Sequence, residues 1–361
     1  MQPDFWRGTS VFLTGHTGFK GSWLSLWLSE LGAKVTGYAL APPTTPSMFH
    51  VCNVERRLAA SVIADVRDPS TLSAALAKAK PDIIIHMAAQ PLVRYSYQHP
   101  VETYATNVMG TVHLLEAVRA YGGARATLVV TSDKCYENTE QPVPYRESDP
   151  MGGHDPYSNS KGCAELVTRA YGKSYFAVDR TLGALASARA GNVIGGGDWA
   201  EDRLVPDILR ALAKNQPPVI RKPEAIRPWQ HVLEPLSGYL AALEHCASGN
   251  IRSPEAWNFA PNAEGHVNVR SIAEMLCTAW GGGIVPVIEP EANAAHEATL
   301  LMLDAGKAKR ELGWHPRWDI ATTLTRTAEW YRAHHDGEEM NAFTTAQIEA
   351  YMHTHPHAET A

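Results

Sequence analysis

Residues 10–31 read SVFLTGHTGFKGSWLSLWLSEL. Ser10 to Leu13 is short, apolar and β-prone, and Ser22 to Leu31 carries Trp23, Leu24, Leu26, Trp27, Leu28 and Leu31 at helical spacing. Between them TGHTGFKG supplies Gly15, Gly18 and Gly21. Strand, tight turn and helix is the context in which a glycine triplet gains meaning: the first glycine permits the turn, the second lets backbone approach a pyrophosphate, and the third lets helix and strand pack closely. The phosphates would then lie at the positive end of the helix.

Working outward, Val35 to Leu40 reads as a second strand, Ser61 to Val66 as a third and Asp82 to His86 (DIIIH) as a fully buried fourth. Thr71 to Lys80 reads as a helix, Thr103 to Ala120 as another, Thr127 to Val130 as an apolar strand, and a further helix starts near Tyr157. Strands alternating with helices predict an α/β fold with a Rossmann-type, doubly wound parallel sheet. After Leu185 the texture changes: RAGNVIGGGDW is glycine-rich, Gln216 to Pro228 is proline-rich, and the regular alternation lapses. The expected division is a dinucleotide-binding domain from 1–186 and 232–257, and a smaller, mainly C-terminal α/β substrate domain from 187–231 and 258–361. Ala305, Ala308 and Leu312 fall at helical spacing with Gly313 where a C-cap belongs. The last residues read as a loose appendage in which Thr344 and Gln347 form a capping box for a short helix through Met352.

The 32 basic and 38 acidic residues are mixed along the chain, for a net charge of −6, which argues against nucleic acid as a partner. Five scattered cysteines without a Cys-x-x-Cys pair argue against a disulfide framework or structural zinc. The polar start MQPDFWRGTS and the lack of a long apolar run predict a cytoplasmic protein with no membrane partner. His353, His355 and His357 alternate but lack acidic or cysteine partners, so no metal is expected there. Cys135 reads as a small buried side chain.

Two further segments carry chemistry. Tyr157 and Lys161, in YSNSKGCAE, lie four apart at the head of a helix and so project from one face. A tyrosinate suits the oxidation of an alcohol, provided a nearby cation lowers the phenol pKa. The apolar strand ending at Val130 runs into Thr131, Ser132, Asp133 and Lys134, which places polar side chains at the carboxyl edge of the sheet, where ligands bind in such folds.

With the glycine turn, TSDKCYEN, Tyr-x-x-x-Lys, GNVIGGGDW and LGWHP in this order, residues Phe5 to Trp330 resemble the extended short-chain dehydrogenase/reductase superfamily, and within it the CDP-glucose branch of the sugar-nucleotide 4,6-dehydratases. The resemblance implies NAD held by Gly15, Gly18, Phe19, Gly21, Asp65, Val66, Ala88, Ala89 and Asn107, with Lys161 beside the nicotinamide ribose. The residues themselves leave NAD or NADP open, because the second strand ends Gly37, Tyr38, Ala39, Leu40, with neither an acid for a ribose nor an arginine for a 2′-phosphate. Ser132 matches the residue that hydrogen-bonds the sugar hydroxyl, and Tyr157 the base at C4. Asp133 matches the acid toward the C6 oxygen. Lys134 stands where relatives carry glutamate, and is either a C5 base of lowered pKa or an ammonium that stabilises the enolate. Asn192, Arg203 and Arg227 match positions near the diphosphate, where arginine's fork suits phosphate oxygens. Trp199 and Trp229 are candidates to pack on base or sugar. A homodimer through the helices near Thr103 to Ala120 and Tyr157 to Ser174 is implied as well.

The expected reaction converts CDP-glucose to CDP-4-keto-6-deoxyglucose and water by internal hydride transfer from C4 to C6. The alternatives are a sugar-nucleotide 4-epimerase, a dehydratase of a dTDP- or GDP-sugar and, from another class, a non-catalytic dinucleotide-binding regulator. Epimerases resemble the sequence but carry small or uncharged residues at the positions of Asp133 and Lys134, and an intact Ser132, Tyr157 and Lys161 counts against a regulator.

Overall fold

In the computed structural model, which describes residues 2–249, 251, 254–262, 265–289 and 301–355, the apolar runs become strands of one parallel sheet. They are β1 (Ser10–Thr14), β2 (Lys34–Ala39), β3 (Ala60–Ile63), β4 (Ile83–His86), β5 (Ala126–Val130), β6 (Ala184–Ala190) and β7 (Glu255–Phe259). The seven stand in the order β7-β6-β5-β4-β1-β2-β3, every neighbouring pair parallel. From β1 the chain winds outward through β2 and β3, then returns to β4 on the other side of β1. The strand order therefore reverses between β1 and β4, and a crevice opens beyond their carboxyl ends.

Alternation along the strands sends side chains to two buried faces. Phe12, Ile84, Val129 and Leu185 meet Leu72 and Leu76 of α2 (Pro69–Ala79) and Leu114, Leu115 and Val118 of α3 (Gly110–Tyr121). Val11, Leu13, Ile83, Ile85 and Leu128 face the other way, toward α1 (Phe19–Glu30). Helix α1 is buried from Gly21 through Leu28, as expected of a helix apolar all round.

The expected lapse of alternation after Leu185 conceals two strands of this sheet. β6 reads ALASARA and is buried along its whole length. Its small side chains carry little β-propensity, and α6 (Leu233–Ala247) lies across β5, β6 and β7, so close packing takes over from the usual large-residue signature. Beyond the sheet, two-stranded pairings join Val193–Ile194 to Gln230–His231, Ile226–Pro228 to His266–Asn268, and Val219–Ile220 to Val287–Ile288. They accompany α5 (Leu204–Ala213), α7 (Val269–Trp280) and α8 (Ile320–His335). Gly313 C-caps the helix Gly306–Leu312 in the left-handed conformation, as its position predicts.

The tail differs from its expectation. Met340–His353 is a helix, α9, N-capped by Glu339, whose carboxylate accepts from Asn341 N at 3.0 Å and Ala342 N at 2.7 Å. Thr344 and Gln347 are therefore helix-interior residues: Thr344 Oγ1 accepts from Trp330 Nε1 at 2.8 Å and Gln347 Nε2 donates to Arg326 O at 2.8 Å. Tyr351 is fully buried, packs edge-on to Trp27 and Trp318, and donates to Glu234 Oε2 at 2.6 Å. These contacts anchor the helix. His353 and His355 are exposed, and His357 lies outside the described residues.

Tyr351→Ala is expected to cost about 3–5 kcal/mol, the usual range for a large buried aromatic. Urea unfolding checks this, since a loose appendage would show no loss.

Candidate functional site

The crevice is shaped by how close α1 comes to the sheet. Gly15 takes φ +81° where a Cβ would stand 2.8 Å from Ala88 N, at the end of β4. A Cβ on Gly21 would lie 2.0 Å from Gly15 O, so any side chain there would push the helix away. At Gly18, the N-cap, nothing comes closer than 3.4 Å and no side chain caps the first helical N–H groups. Phe19 is half-buried beside it, and Ala88 and Ala89 form a small-residue edge opposite, with Thr14 Oγ1 accepting from Ala88 N at 3.1 Å.

Two other cofactor candidates have evident structural work. Asn107 Oδ1 accepts from Gln90 N at 2.8 Å, while its Nδ2 donates to Gln90 O at 3.1 Å and Ser160 Oγ at 2.9 Å, joining the end of β4 to the helix that carries Tyr157. Asp65, beyond the end of β3, accepts from Arg67 N, Nε and Nη2 at 2.8, 2.8 and 2.6 Å. Val66 is buried, its carbonyl 3.1 Å from His113 Nδ1.

Next to this crevice the strand end of β5 meets α4 (Pro156–Tyr171), which Asp155 caps through Ser158 N. After Val130 the chain makes one 3-10 turn, Asp133–Cys135, capped by Ser132 Oγ, which accepts from Lys134 N at 3.2 Å. The same hydroxyl donates to Asp133 Oδ1 at 2.8 Å. Asp133 is buried and its Oδ2 has no hydrogen-bond partner. That oxygen faces Gly191, whose Cβ position is 3.2 Å from it and 2.6 Å from Pro228 Cγ. Lys134 is half-buried, while Cys135 is buried and its thiol is pushed well above its usual pKa by that burial.

Tyr157 and Lys161 come together with this turn, one helical turn apart on α4 and both buried. Burial pushes the Tyr157 phenol up to about 12, opposed by a hydrogen bond with the Ser132 side chain and by Arg203. The expected lowering of the phenol is outweighed by desolvation. Burial also brings Lys161 down to about 8, with Cys135 and Glu165 working to raise it. A residue that sequence reasoning passed over lies here as well. Lys20, inside the glycine turn, donates to Tyr239 Oη at 2.8 Å, and burial, then Lys161 and Arg203, lower it to about 7 while Asp133 opposes. Its place between Gly18 and Gly21 is the signal that would have found it.

The substrate candidates occupy the other wall. Asn192 follows β6, and its carbonyl accepts from Gln230 N at 3.2 Å. Arg227 is buried on the strand Ile226–Pro228, with Nη1 donating to Ile226 O at 2.9 Å. Arg203, at the head of α5, pairs with Asp198 at 2.6 Å. Trp199 packs against Trp330, Tyr331 and His334, and Trp229 is buried with Nε1 donating to Val267 O at 2.9 Å. Both indoles thus have core partners.

The layout, a switch-point crevice with a glycine turn on one side and a Ser-Asp-Lys turn facing Tyr-x-x-x-Lys on the other, defines a nucleotide-dependent enzyme fold of the Rossmann class. The solved structure of a UDP-glucose 4-epimerase from Thermotoga maritima with UDP-glucose superposes with a TM-score of 0.77 at 22% identity, covering 90% of this chain and 99% of that one. That of a dTDP-glucose 4,6-dehydratase from Bacillus anthracis in complex with NAD gives 0.76 at 20% identity, covering 92% and 99%. The family model for GDP-mannose 4,6 dehydratase matches residues 12–327. A CDP-glucose 4,6-dehydratase of Salmonella typhimurium is 53% identical over 355 residues, 98% of each chain. The chain belongs to the GDP-mannose 4,6-dehydratase family, within the extended short-chain dehydrogenase/reductases.

Two lysines should titrate far below the ordinary value of about 10.4: Lys20 at about 7 and Lys161 at about 8, each neutral above its own value. NMR of lysine-labelled protein, with Lys20→Met and Lys161→Met each deleting one of the two signals, measures this directly.

Proposed function

We propose that the protein is a CDP-glucose 4,6-dehydratase that forms CDP-4-keto-6-deoxyglucose and water with bound NAD. The observation that carries this reading is Asp133, a buried carboxylate bonded to Ser132 near Tyr157, with one uncommitted oxygen. Oxidation at C4 needs no acid at that point; elimination of the C6 hydroxyl does. The CDP-glucose 4,6-dehydratase of Salmonella typhimurium, 53% identical along nearly the whole chain, supports the choice of base and sugar.

NAD fits the crevice. The Gly15 to Gly21 cradle leaves room for a diphosphate against the uncapped N–H groups of α1, and Ala88 and Ala89 keep the facing edge low. Gly15, Gly18, Phe19 and Gly21 would hold the diphosphate side, Asp65 and Val66 the adenine side, and Ala88, Ala89, Asn107, Tyr157 and Lys161 the nicotinamide side. When bound, the cofactor would supply acceptance of the C4 hydride and its return to C6. The chain's own groups do the proton work. Tyr157 takes the C4 hydroxyl proton, with Ser132 hydrogen-bonded to the same oxygen and Arg203 favouring the ionised phenol. The resulting ketone acidifies C5–H, Asp133 protonates the departing C6 hydroxyl, and Lys134 either takes the C5 proton or holds the enolate charge as an ammonium while another base takes that proton. Asn192, Arg203 and Arg227 orient the substrate diphosphate. In this division residues 1–186 and 232–257 bind the dinucleotide, and 187–231 with 258–361 bind the sugar nucleotide.

A homodimer completes the reading. Val101, Met109, Leu166 and Val178, on or beside the helical runs 100–121 and 156–176, are 82, 46, 53 and 78% exposed, an apolar surface that self-association would cover. No helix among the described residues is long and apolar enough to cross a membrane, and all five cysteines are unpaired, which supports a place in the reducing cytoplasm.

Incubation with CDP-glucose, dTDP-glucose, UDP-glucose and GDP-mannose should yield a product lighter by one water from CDP-glucose alone. Deuterium at C4 should reappear at C6, with one solvent deuterium at C5 in heavy water; a methyl group without the C4 label would exclude internal transfer. Tyr157→Phe should block reduction of the nicotinamide on rapid mixing, whereas Asp133→Asn and Lys134→Met should permit it and accumulate a 4-keto-hexose. Near-normal dehydration by Lys134→Met would remove Lys134 from both of its roles.

A further inference from the structure

Behind the catalytic turn lies a buried ion pair that the reaction as described does not use. Glu165 follows Lys161 by one helical turn on α4, and Arg189 stands on β6; their side chains are only 4% and 5% exposed and meet at 2.7 Å. Glu165 accepts from Thr131 Oγ1 and, at 2.8 Å, from Ser187 Oγ. Arg189 Nη1 donates to Tyr136 Oη at 2.7 Å and to Glu147 O at 3.3 Å. Tyr136 in turn donates to Asn258 Oδ1 at 2.7 Å on β7. Although burial alone would raise the Glu165 carboxyl, Arg189 and the two hydroxyls outweigh it, so its pKa lies below the ordinary carboxylate value.

Thr131 and Tyr136 are the residues immediately outside Ser132, Asp133, Lys134 and Cys135. We propose that Glu165 and Arg189 form a clamp that pins both ends of this four-residue segment and so positions Asp133 and Lys134 for elimination. The inference rests on the dehydratase reading above. Within the segment the bonds are few: Lys134 N to Ser132 Oγ, Cys135 N to Ser132 O at 3.3 Å, Gly152 N to Cys135 O at 2.9 Å, the Ser132 side chain to Tyr157, and Ser132 Oγ to Asp133 Oδ1. Only the last holds the Asp133 side chain, and it comes from inside the segment. The direction of Asp133 and Lys134 is accordingly inherited from the ends. Tyr157 and Lys161 sit instead on a capped helix of 16 residues, whose register does not depend on the turn. Loosening the clamp should therefore impair water loss more than C4 oxidation. A displacement near 1 Å can cost about a hundredfold in rate.

The test leaves the ion pair intact, so that no buried charge is orphaned, and removes the hydroxyls it holds: Thr131→Val, Tyr136→Phe and the double variant, with Thr131→Ser as the conservative control. The double variant should lose about 30-fold or more of CDP-glucose turnover while KM changes less than about threefold. On rapid mixing it should build up reduced nicotinamide and 4-keto-hexose. Thr131→Ser should behave as wild type. Oxidation and dehydration slowed by one common factor, or turnover unchanged, overturns the proposal. Hydrogen exchange in the substrate-free protein decides independently of the reaction. The peptide covering 131–136 should exchange at least about tenfold faster in the double variant, with 156–171 unaltered, and equal exchange in both proteins also overturns the clamp. Failure of the wild type to dehydrate any of the sugar nucleotides sinks the dehydratase reading, while the exchange result still stands for or against the clamp.

Discussion

The approach of Gly21 to the carbonyl of Gly15 governs the rest of the molecule, because a Cβ there would stand 2.0 Å from that oxygen, so no other residue lets α1 start so close to the end of β1. That contact sets the angle of α1 beneath the sheet and brings its unfilled N–H groups to the point where the strand order reverses. The same placement buries Trp23, whose indole donates to Gly196 O at 2.9 Å. The glycine-rich segment leading to Asp198 and Arg203 is thereby tied to the dinucleotide turn, and the two walls of the crevice share one reference point.

The crevice carries positive charge at a cost. Lys20, Lys161 and Arg203 converge near Tyr157, and desolvation lowers both lysines by more than two pKa units from 10.5, to about 7 and about 8. A doubly anionic diphosphate entering such a site regains electrostatic energy that the empty protein forgoes. Buried pairs elsewhere are matched with more care. Removing one partner of a pair such as Glu165 and Arg189 typically costs about 3–5 kcal/mol, and here the Glu165 carboxylate also accepts from Thr131 and Ser187, although Arg189 Nε has no hydrogen-bond partner among the described residues. The buried carboxyl of Glu234, raised to about 7 by desolvation, accepts from Tyr351, Trp318 N and Arg317 N.

Much of this was legible in the residues, and the exceptions have a common cause. Apolar runs such as DIIIH and the glycine turn carry local signals of strand and turn, and their elements lie where expected, though β3 ends at Ile63 rather than Val66 and α1 begins at Phe19 rather than Ser22. Tyr157 and Lys161 could be placed on one face because helical spacing alone decides it. β6 escaped because alanine and serine replace the large residues by which strands are recognised, a substitution that only the approach of α6 explains. The terminal helix was expected, but its start and its anchoring were not, because Thr344 and Gln347 occupy core positions with hydrogen bonds to Trp330 and Arg326, partners that lie in another helix. Lys20, Glu165 and Arg189 were overlooked for the same reason: a charged residue reads as surface until its tertiary partners are known.

The contact between α1 and α9 also bears on how the chain is made. Trp27 and Tyr351, whose rings meet at 5.6 Å, are separated by nearly the whole sequence, and Thr344 Oγ1 lies 3.4 Å from Cys52 Sγ. During vectorial synthesis α1 keeps this apolar flank uncovered until the segment around Tyr351 has emerged, and β7 with Asn258 joins the sheet only long after β1 to β6 have been made. At 5–20 residues per second, roughly the ordinary rate of translation, the nascent protein spends many seconds with tryptophan exposed and its interior ion pair lacking the final strand. A core that α9 completes over α1 in this way closes late in synthesis.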